Sequence, residues 1–210
     1  KKGHTDNKWK LLYSFERLIK ETLPDIVSME NVPNLIHENV FEDFVRTLNE
    51  LHYEVEYQVV NCPDYGVPQH RKRLVLLASR FGELHLIPPL YDAEHYITVR
   101  DAIGHLQPIE AGEICPNDIL HRSSALSAIN MERIQQSVPG GTWRDWDENL
   151  RLKCHKKESG ATFPSVYGRM EWDEPSPTMT TQFYGYGNGR FGHPEQNRAI
   201  SLREGAILQS

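Results

Sequence analysis

Apolar residues recur at helical spacing twice in the first fifty positions, and a short β-branched run separates the two stretches. Over 9–22, Leu11, Leu12, Phe15, Leu18 and Ile19 form one stripe, with Asp6 or Asn7 placed to cap its start, which predicts an amphipathic helix. Ile26, Val27, Ser28 and Met29 lead into Glu30, and Pro33 closes the run, so a buried strand with an acid at its carboxyl end is expected. Asn39 followed by Glu42 has the form of a capping box, and Val40, Phe41, Phe44, Val45, Leu48 and Leu51 supply the apolar face of a second helix. Over 54–60, Val55, Tyr57 and Val59 alternate with more polar residues, and 74–78 is again apolar, which predicts a strand pair at a sheet edge. The order helix, strand, helix, strand, strand indicates an α/β fold.

From about Phe81 the pattern loosens. Pro88-Pro89, Gly140-Gly141, many aromatics and a Gly-rich run over 185–192 predict irregular, loop-rich structure. Its one convincing helix spans 124–138, with Leu126, Ile129, Ile134 and Val138 on one face.

Composition adds limits. The 210 residues are 39% hydrophobic and 25% charged, as in ordinary globular chains, and one or two domains are affordable. A formal charge of -6 excludes a generally basic nucleic-acid wrapper, so any phosphate contact must be local. Two clusters could supply it: Arg71-Lys72-Arg73, and Arg151, Lys153, His155, Lys156 and Lys157, the second of which reads on its own as a solvated charge run. No stretch approaches a membrane span and no signal-peptide pattern opens the chain, which points away from a membrane and to the cytoplasm. Three cysteines without a pairing pattern suit a reducing compartment. Cys115 and Cys154 with His121 and His155 lack metal-ligand spacing, so no metal is expected, and Cys62 reads as a packing residue.

The candidate chemistry sits at the strand ends. A half-buried Glu30 would favour its neutral form and could donate a hydrogen bond to a ring nitrogen. Arg71 and Arg73 are expected to serve opposite sides of an extended segment, one meeting a substrate oxygen while the other holds a phosphate or a loop. Without the arginines, Glu30 would read as a strand-end carboxylate capping a loop.

Glu30-Asn31-Val32 and Gln69-His70-Arg71-Lys72-Arg73, in this order, resemble motifs of the DNA (cytosine-5) methyltransferases of bacterial restriction-modification systems. Residues 61–68 look like the lead-in to the arginine motif. Residues 139–145, 167–169 and 173–181 resemble the variable, DNA-reading part. Residues 189–194 and 198–204, with Leu208, Gln209 and Ser210, resemble the following block. The family's Phe-x-Gly-x-Gly loop for S-adenosylmethionine and its Pro-Cys-Gln nucleophile loop do not occur here. The resemblance therefore implies part of such an enzyme, with 1–7 as the tail of the nucleophile loop and both ends as cuts through a domain.

What the resemblance implies is specific. Residues 1–80 would be the second half of a Rossmann-like methyltransferase sheet with an antiparallel final strand. Residues 81–196 would be a small target-recognition domain, and 197–210 the start of the return to the catalytic domain. Glu30 would contact N3 and the exocyclic amine of a flipped-out cytosine, and Arg73 would bind its O2. Arg71 would anchor the nucleophile loop or a phosphate, and Asn31 would position the proline-cysteine backbone. DNA contacts are expected from Gln69, Arg71, Thr180, Thr181, Arg169, Arg190, Lys156 and Lys157, the Thr180-Thr181 region by position in the family. Arg144, Gln182, Tyr184, Tyr186 and Asn188 are chemically able to join them.

The resemblance implies S-adenosylmethionine as the cofactor, contacted mostly from outside these residues. It likewise implies as partners double-stranded DNA and the missing N-terminal half, joined covalently or as a separate subunit. The alternative is a non-catalytic DNA-recognition fragment or remnant. A transfer-RNA methyltransferase would share the chemistry, but the restriction-type recognition blocks argue for DNA.

Overall fold

In the computed structural model, which describes residues 9–157 and 162–210, the chain divides into two compact units. The first comprises Lys1–Asn61 and Lys72–Pro89; the second comprises Cys62–Arg71 and Leu90–Ser210. The segment bearing Gln69 and Arg71 thus belongs to the second unit, as does 197–210.

The first unit is a three-stranded antiparallel sheet with helices and a core on one face. Helix α1 spans Lys10–Thr22, strand β1 Ile26–Asn31, helix α2 Asn39–Glu50, strand β2 Glu54–Asn61 and strand β3 Lys72–Ser79. The sheet order is β1-β3-β2, so β3 takes the centre rather than an edge. The period-two pleat of β3 sends Leu74, Leu76 and Ala78 into the core, where they meet Val27 and Met29 of β1 across the ladder. Phe41, Phe44 and Leu48 of α2 close over them, each fully buried and each worth about 1.5–3 kcal/mol of apolar transfer.

Helix ends differ from the sequence reading. The N-cap of α1 is Trp9, with no side-chain cap bond, while Asp6 and Asn7 lie outside the described residues, as does the expected nucleophile-loop tail. Leu12 and Ile19 are buried, whereas Leu11 and Leu18 face solvent. The N-cap of α2 is Glu38, and Asn39 is already helical, so the capping box with Glu42 does not form. The one-position shift places Glu42 in the first turn, where a carboxylate still favours the helix dipole.

The second unit has little regular structure: helix α3 (Val99–Ile103), strands β4 (Ile114–Cys115) and β5 (Asp118–Arg122) as a short hairpin, helix α4 (Ala128–Gln136) and helix α5 (Leu202–Ile207). The expected helix over 124–138 is shorter at both ends. Ser127 caps it by accepting from the Asn130 amide, and at the other end Ser137 is extended, with Val138 disfavoured for helix by the following Pro139. Capping boxes at Thr98/Asp101 and Ser201/Glu204 start α3 and α5. One core joins Val99, Ile103, Met170, Met179, Phe191, Ile200 and Leu208.

Side chains replace sheet ladders as the binding agent in this unit. Arg198 and Glu204, each 1% exposed, form a two-pronged ion pair with both bonds at 2.7 Å. Arg198 also donates to the Ile109 carbonyl at 3.0 Å, and Glu204 accepts from the Ser201 amide at 2.6 Å. His193 lies 3.8 Å from Glu204 and accepts through Nδ1 from the amides of Glu195 and Gln196. Burial, reinforced by Arg198, pushes the His193 imidazole down to about 4, so it is neutral in the folded protein.

A buried histidine held neutral ties stability to pH. Its folded value lies below the ordinary 6.5, so the unfolded chain binds the extra proton between those values. Stability should therefore be fully present above pH 6.5 and fall as the pH drops toward 4. Thermal melting at pH 7.5 and pH 5 measures this; equal midpoints would contradict a buried neutral His193.

Candidate functional site

On the first unit, the register of the central ladder brings an acid and a guanidinium together. Glu30 stands opposite Val75, and Arg73 is the diagonal neighbour two residues before Val75, on the same sheet face. Arg73 Nε donates to Glu30 Oε1 at 2.8 Å, and Arg73 Nη1 donates to the Lys72 carbonyl at 2.8 Å. This face is the one opposite Leu74 and Leu76, so the pair is not in the core: the Glu30 side chain is 56% exposed and that of Arg73 21%. The expected half-burial of Glu30 is not found. Strand alternation, which buries Val27 and Met29, turns Ser28 and Glu30 outward. Asn31 Oδ1 accepts from the Val32 amide at 2.8 Å and fixes the turn out of β1.

On the second unit, the arginine-motif segment is a turn locked in place. A 3-10 turn over Cys62–Tyr65 is followed by Gly66 at φ 83°, a left-handed position that glycine occupies without strain. The Cys62 amide donates to the Arg71 carbonyl at 2.8 Å, closing the turn. That Arg71 and Arg73 should diverge does not follow from strand alternation, which puts residues two apart on one side. β3 begins at Lys72, so Arg73 lies in the strand and Arg71 in the turn before it.

Gln69 is not a DNA contact. It is 2% exposed, its Nε2 donates to the Leu208 carbonyl at 3.2 Å, and its Oε1 accepts from the Met179 amide at 3.0 Å. The side chain is a bracket between two distant segments. Gln69→Leu should orphan two buried backbone groups and cost about 2–6 kcal/mol, at 1–3 for each. Urea denaturation of the wild type and the variant reads the loss directly.

Arg169 is likewise structural. It is 4% exposed and donates to the carbonyls of Ile134, Ser137, His193 and Gln196 and to the Asn197 side chain. Tyr186 is buried, with its hydroxyl 2.8 Å from Ser137 Oγ and its ionisation pushed up to about 12 by that burial. Arg190 is half-buried and donates to the Gly141 carbonyl at 2.7 Å and the Arg169 carbonyl at 3.2 Å. A cleft of about 430 Å³ lies beside it, lined also by His70, Glu171, Glu174 and Thr178.

The remaining candidates are available to a ligand. Thr180, Thr181, Gln182, Tyr184 and Asn188 are exposed in the turns over 180–188. Lys157 is exposed, and Lys156 is exposed within 3.5 Å of Glu148. Arg144 is exposed with its guanidinium 5.1 Å from the Trp143 ring centre. His121 bonds Ser201 and the Gln107 carbonyl, while His155 stacks on Trp143 at 4.5 Å, so each imidazole is engaged apart from the cysteines. The sequence reading passes over the aromatic cluster of Trp143, Trp146, His155 and Tyr167; the close spacing of Trp143 and Trp146 was its visible trace.

Comparison with known proteins gives the same direction. The family model for C-5 cytosine-specific DNA methylases matches residues 1–210. The type II methylase M.HgiDII of Herpetosiphon aurantiacus is 57% identical over 213 residues, which is 100% of this chain and 60% of that protein. The type II methyltransferase M1.BsuMI of Bacillus subtilis strain 168 is 32% identical over 95% of this chain and 46% of its own length. The chain therefore spans less than two thirds of these relatives. A crystal structure described as a DNA modification methyltransferase encoded within an E. coli prophage superposes with a TM-score of 0.68 at 19% identity, covering 98% of this chain and 64% of that one, which establishes the Rossmann-like α/β methyltransferase fold. No helix among the described residues is long and apolar enough to cross a membrane. With the Glu30 and arginine motifs in the family's order and the family match running from the first residue to the last, the chain belongs to the C-5 cytosine-specific DNA methylases.

Proposed function

We propose that these residues are the part of a site-specific DNA (cytosine-5) methyltransferase that grips the pairing edge of the target cytosine and reads the surrounding duplex. The Glu30–Arg73 pair, 2.8 Å apart on one sheet face, carries this reading. Cytosine presents an amine donor, the N3 acceptor and the O2 acceptor along a single edge. A carboxyl group beside a guanidinium offers the matching acceptor and donors in one place. The entering base takes over the contact that Glu30 and Arg73 make with each other. When a nucleophile adds to carbon 6, negative charge develops on the ring; a proton drawn from solvent and relayed through Glu30 to N3, with the Arg73 guanidinium at O2, offsets it. Asn31 holds the strand end that carries Glu30.

The nucleophilic cysteine belongs to the Pro-Cys-Gln loop that this sequence lacks. Family membership implies S-adenosylmethionine, which supplies the methyl group when bound. The first unit's cleft of about 250 Å³ lies at the other end of the sheet from Glu30, is lined by Glu54, Glu56, Glu83 and His85, and is small for an adenosyl ligand, so it does not fit. No residue here is assigned to the cofactor. Residues 180–188 of the second unit present the DNA-reading side chains, with Arg71, Lys156 and Lys157 for phosphates. Partners are double-stranded DNA and the segment bearing the nucleophile, in the cytoplasm.

The test is transfer of labelled methyl groups from S-adenosylmethionine to DNA. It is run with this chain alone and with the chain in place of the region it matches in the Herpetosiphon relative. Activity confined to the chimera is the expected result. A folded chimera that binds DNA and transfers nothing would reduce the chain to a recognition fragment.

A further inference from the structure

The second unit holds an aromatic cleft that the proposed base-gripping site does not use. It encloses about 470 Å³ and is lined by Leu152, His155, Phe163, Val166, Tyr167 and Gly187. That volume falls in the range of small-ligand sites. Its walls are planar and fixed. His155 stacks on Trp143 with ring centres 4.5 Å apart and planes 13° apart, and Tyr167 packs edge-on against Trp146 at 5.7 Å and Tyr186 at 5.3 Å. Gly187 lies flat against the Tyr167 ring, where an added Cβ would sit 3.0 Å from it. Tyr167 itself is held at φ 65°, a conformation that costs a non-glycine residue energy and that concentrates at ligand sites.

The polar and charged groups around this cleft suit a nucleotide. His155 Nδ1 accepts from the Leu152 amide at 3.3 Å, so the neutral ring carries its proton on Nε2 as a donor. Burial, with Arg133 and Arg151 nearby, pushes the imidazole below its ordinary range. Lys153, Lys156 and Lys157 are exposed and stand within two residues of His155 in sequence, with Lys156 3.5 Å from Glu148, so positive charge is carried on the segment that lines the cleft. Phe163, a large apolar ring, stands 66% exposed at the cleft. Flat apolar walls, one ring donor and lysines on the lining segment are features that suit an unstacked base and its phosphates.

The geometry points to this cleft as a second base-accepting site, which takes a nucleobase unstacked from bound DNA, stacked against Phe163 and Tyr167 with its flanking phosphates on Lys153 and Lys157. The inference rests on the reading that this unit binds DNA. It is distinct from the grip of Glu30 and Arg73 on the methylated cytosine.

The test uses the full chain with two duplexes, one fully matched and one carrying a single unpaired 5-iodouracil. An unpaired base unstacks at little cost, and the iodinated ring crosslinks to aromatic side chains under light. We expect the unpaired base to strengthen binding and to crosslink within 152–167. Phe163→Ala should remove that advantage, by about 5- to 100-fold, and Phe163→Trp should keep it. Because Phe163 is exposed, neither change should alter folding, which circular dichroism verifies. Matched-duplex binding with no gain from the unpaired base and no crosslink in 152–167 would overturn the cleft and leave the methyltransferase reading standing. Loss of binding to both duplexes would overturn the two together. Thymidine monophosphate that competes as well as the DNA would show a free-nucleotide site and overturn the assignment to DNA.

Discussion

Glu30→Gln in the active chimera should lower the rate of methyl transfer by about 10²- to 10⁴-fold while leaving DNA affinity close to the wild type. The substitution preserves shape and keeps one acceptor and one donor on the side chain, so the ground-state hold on the cytosine edge survives. What disappears is a proton that can pass toward N3 as charge builds on the ring. The Arg73 contact at 2.8 Å also loses its charge, though a donor-to-carbonyl bond remains. The loss should therefore appear in the catalytic constant and not in binding. Single-turnover transfer of labelled methyl groups, with affinity measured in parallel by fluorescence anisotropy, separates the two. A variant within tenfold of the wild-type rate would remove Glu30 from the chemistry.

The second large effect concerns stability. Glu204→Gln should destabilise the second unit by about 3–5 kcal/mol, because it leaves the Arg198 guanidinium buried without its counter-ion. Burial alone would raise the Glu204 carboxyl, yet the two-pronged Arg198 contact holds it below the usual carboxylate range, so the charged form is the one the fold requires. For a unit of this size the loss corresponds to roughly 10–20 °C in melting temperature. The double replacement Arg198→Met with Glu204→Leu should recover part of that, since removing both charges relieves the unpaired one. Calorimetry of the single and double variants checks this, and a single variant melting within 3 °C of the wild type would contradict it.

The first unit was legible because its signals are local. Apolar spacing found both helices, and alternation found the strands, with β1 and β3 longer than expected by one to two residues at their ends. Glu30 and Arg73 were legible as a pair because each stands at a strand end flagged by its motif. Glu30's exposure was not, since which face of a strand meets the core depends on the register with β3.

In the second unit polarity misled. Gln69 and Arg169 look like side chains for DNA, but their partners are backbone groups far away in sequence, and nothing local announces a buried amide or guanidinium. The same holds for the Arg198, Glu204 and His193 cluster. The capping boxes at Thr98 and Ser201 were visible as Thr-x-x-Asp and Ser-x-x-Glu, and they mark the two short helices that apolar periodicity could not resolve.

The central place of β3 has a consequence for synthesis. Among the described residues, strands β1 and β2 are not neighbours and each pairs with β3, so the sheet they share forms only once β3 has emerged from the ribosome. The turn that joins β2 to β3 matures later still. Gln69 within it bonds partners 110 and 139 residues further on, at Met179 and Leu208. The nascent chain must therefore keep this polar turn solvated until α5 arrives and close it only then, a slow, long-range step in an otherwise local folding order.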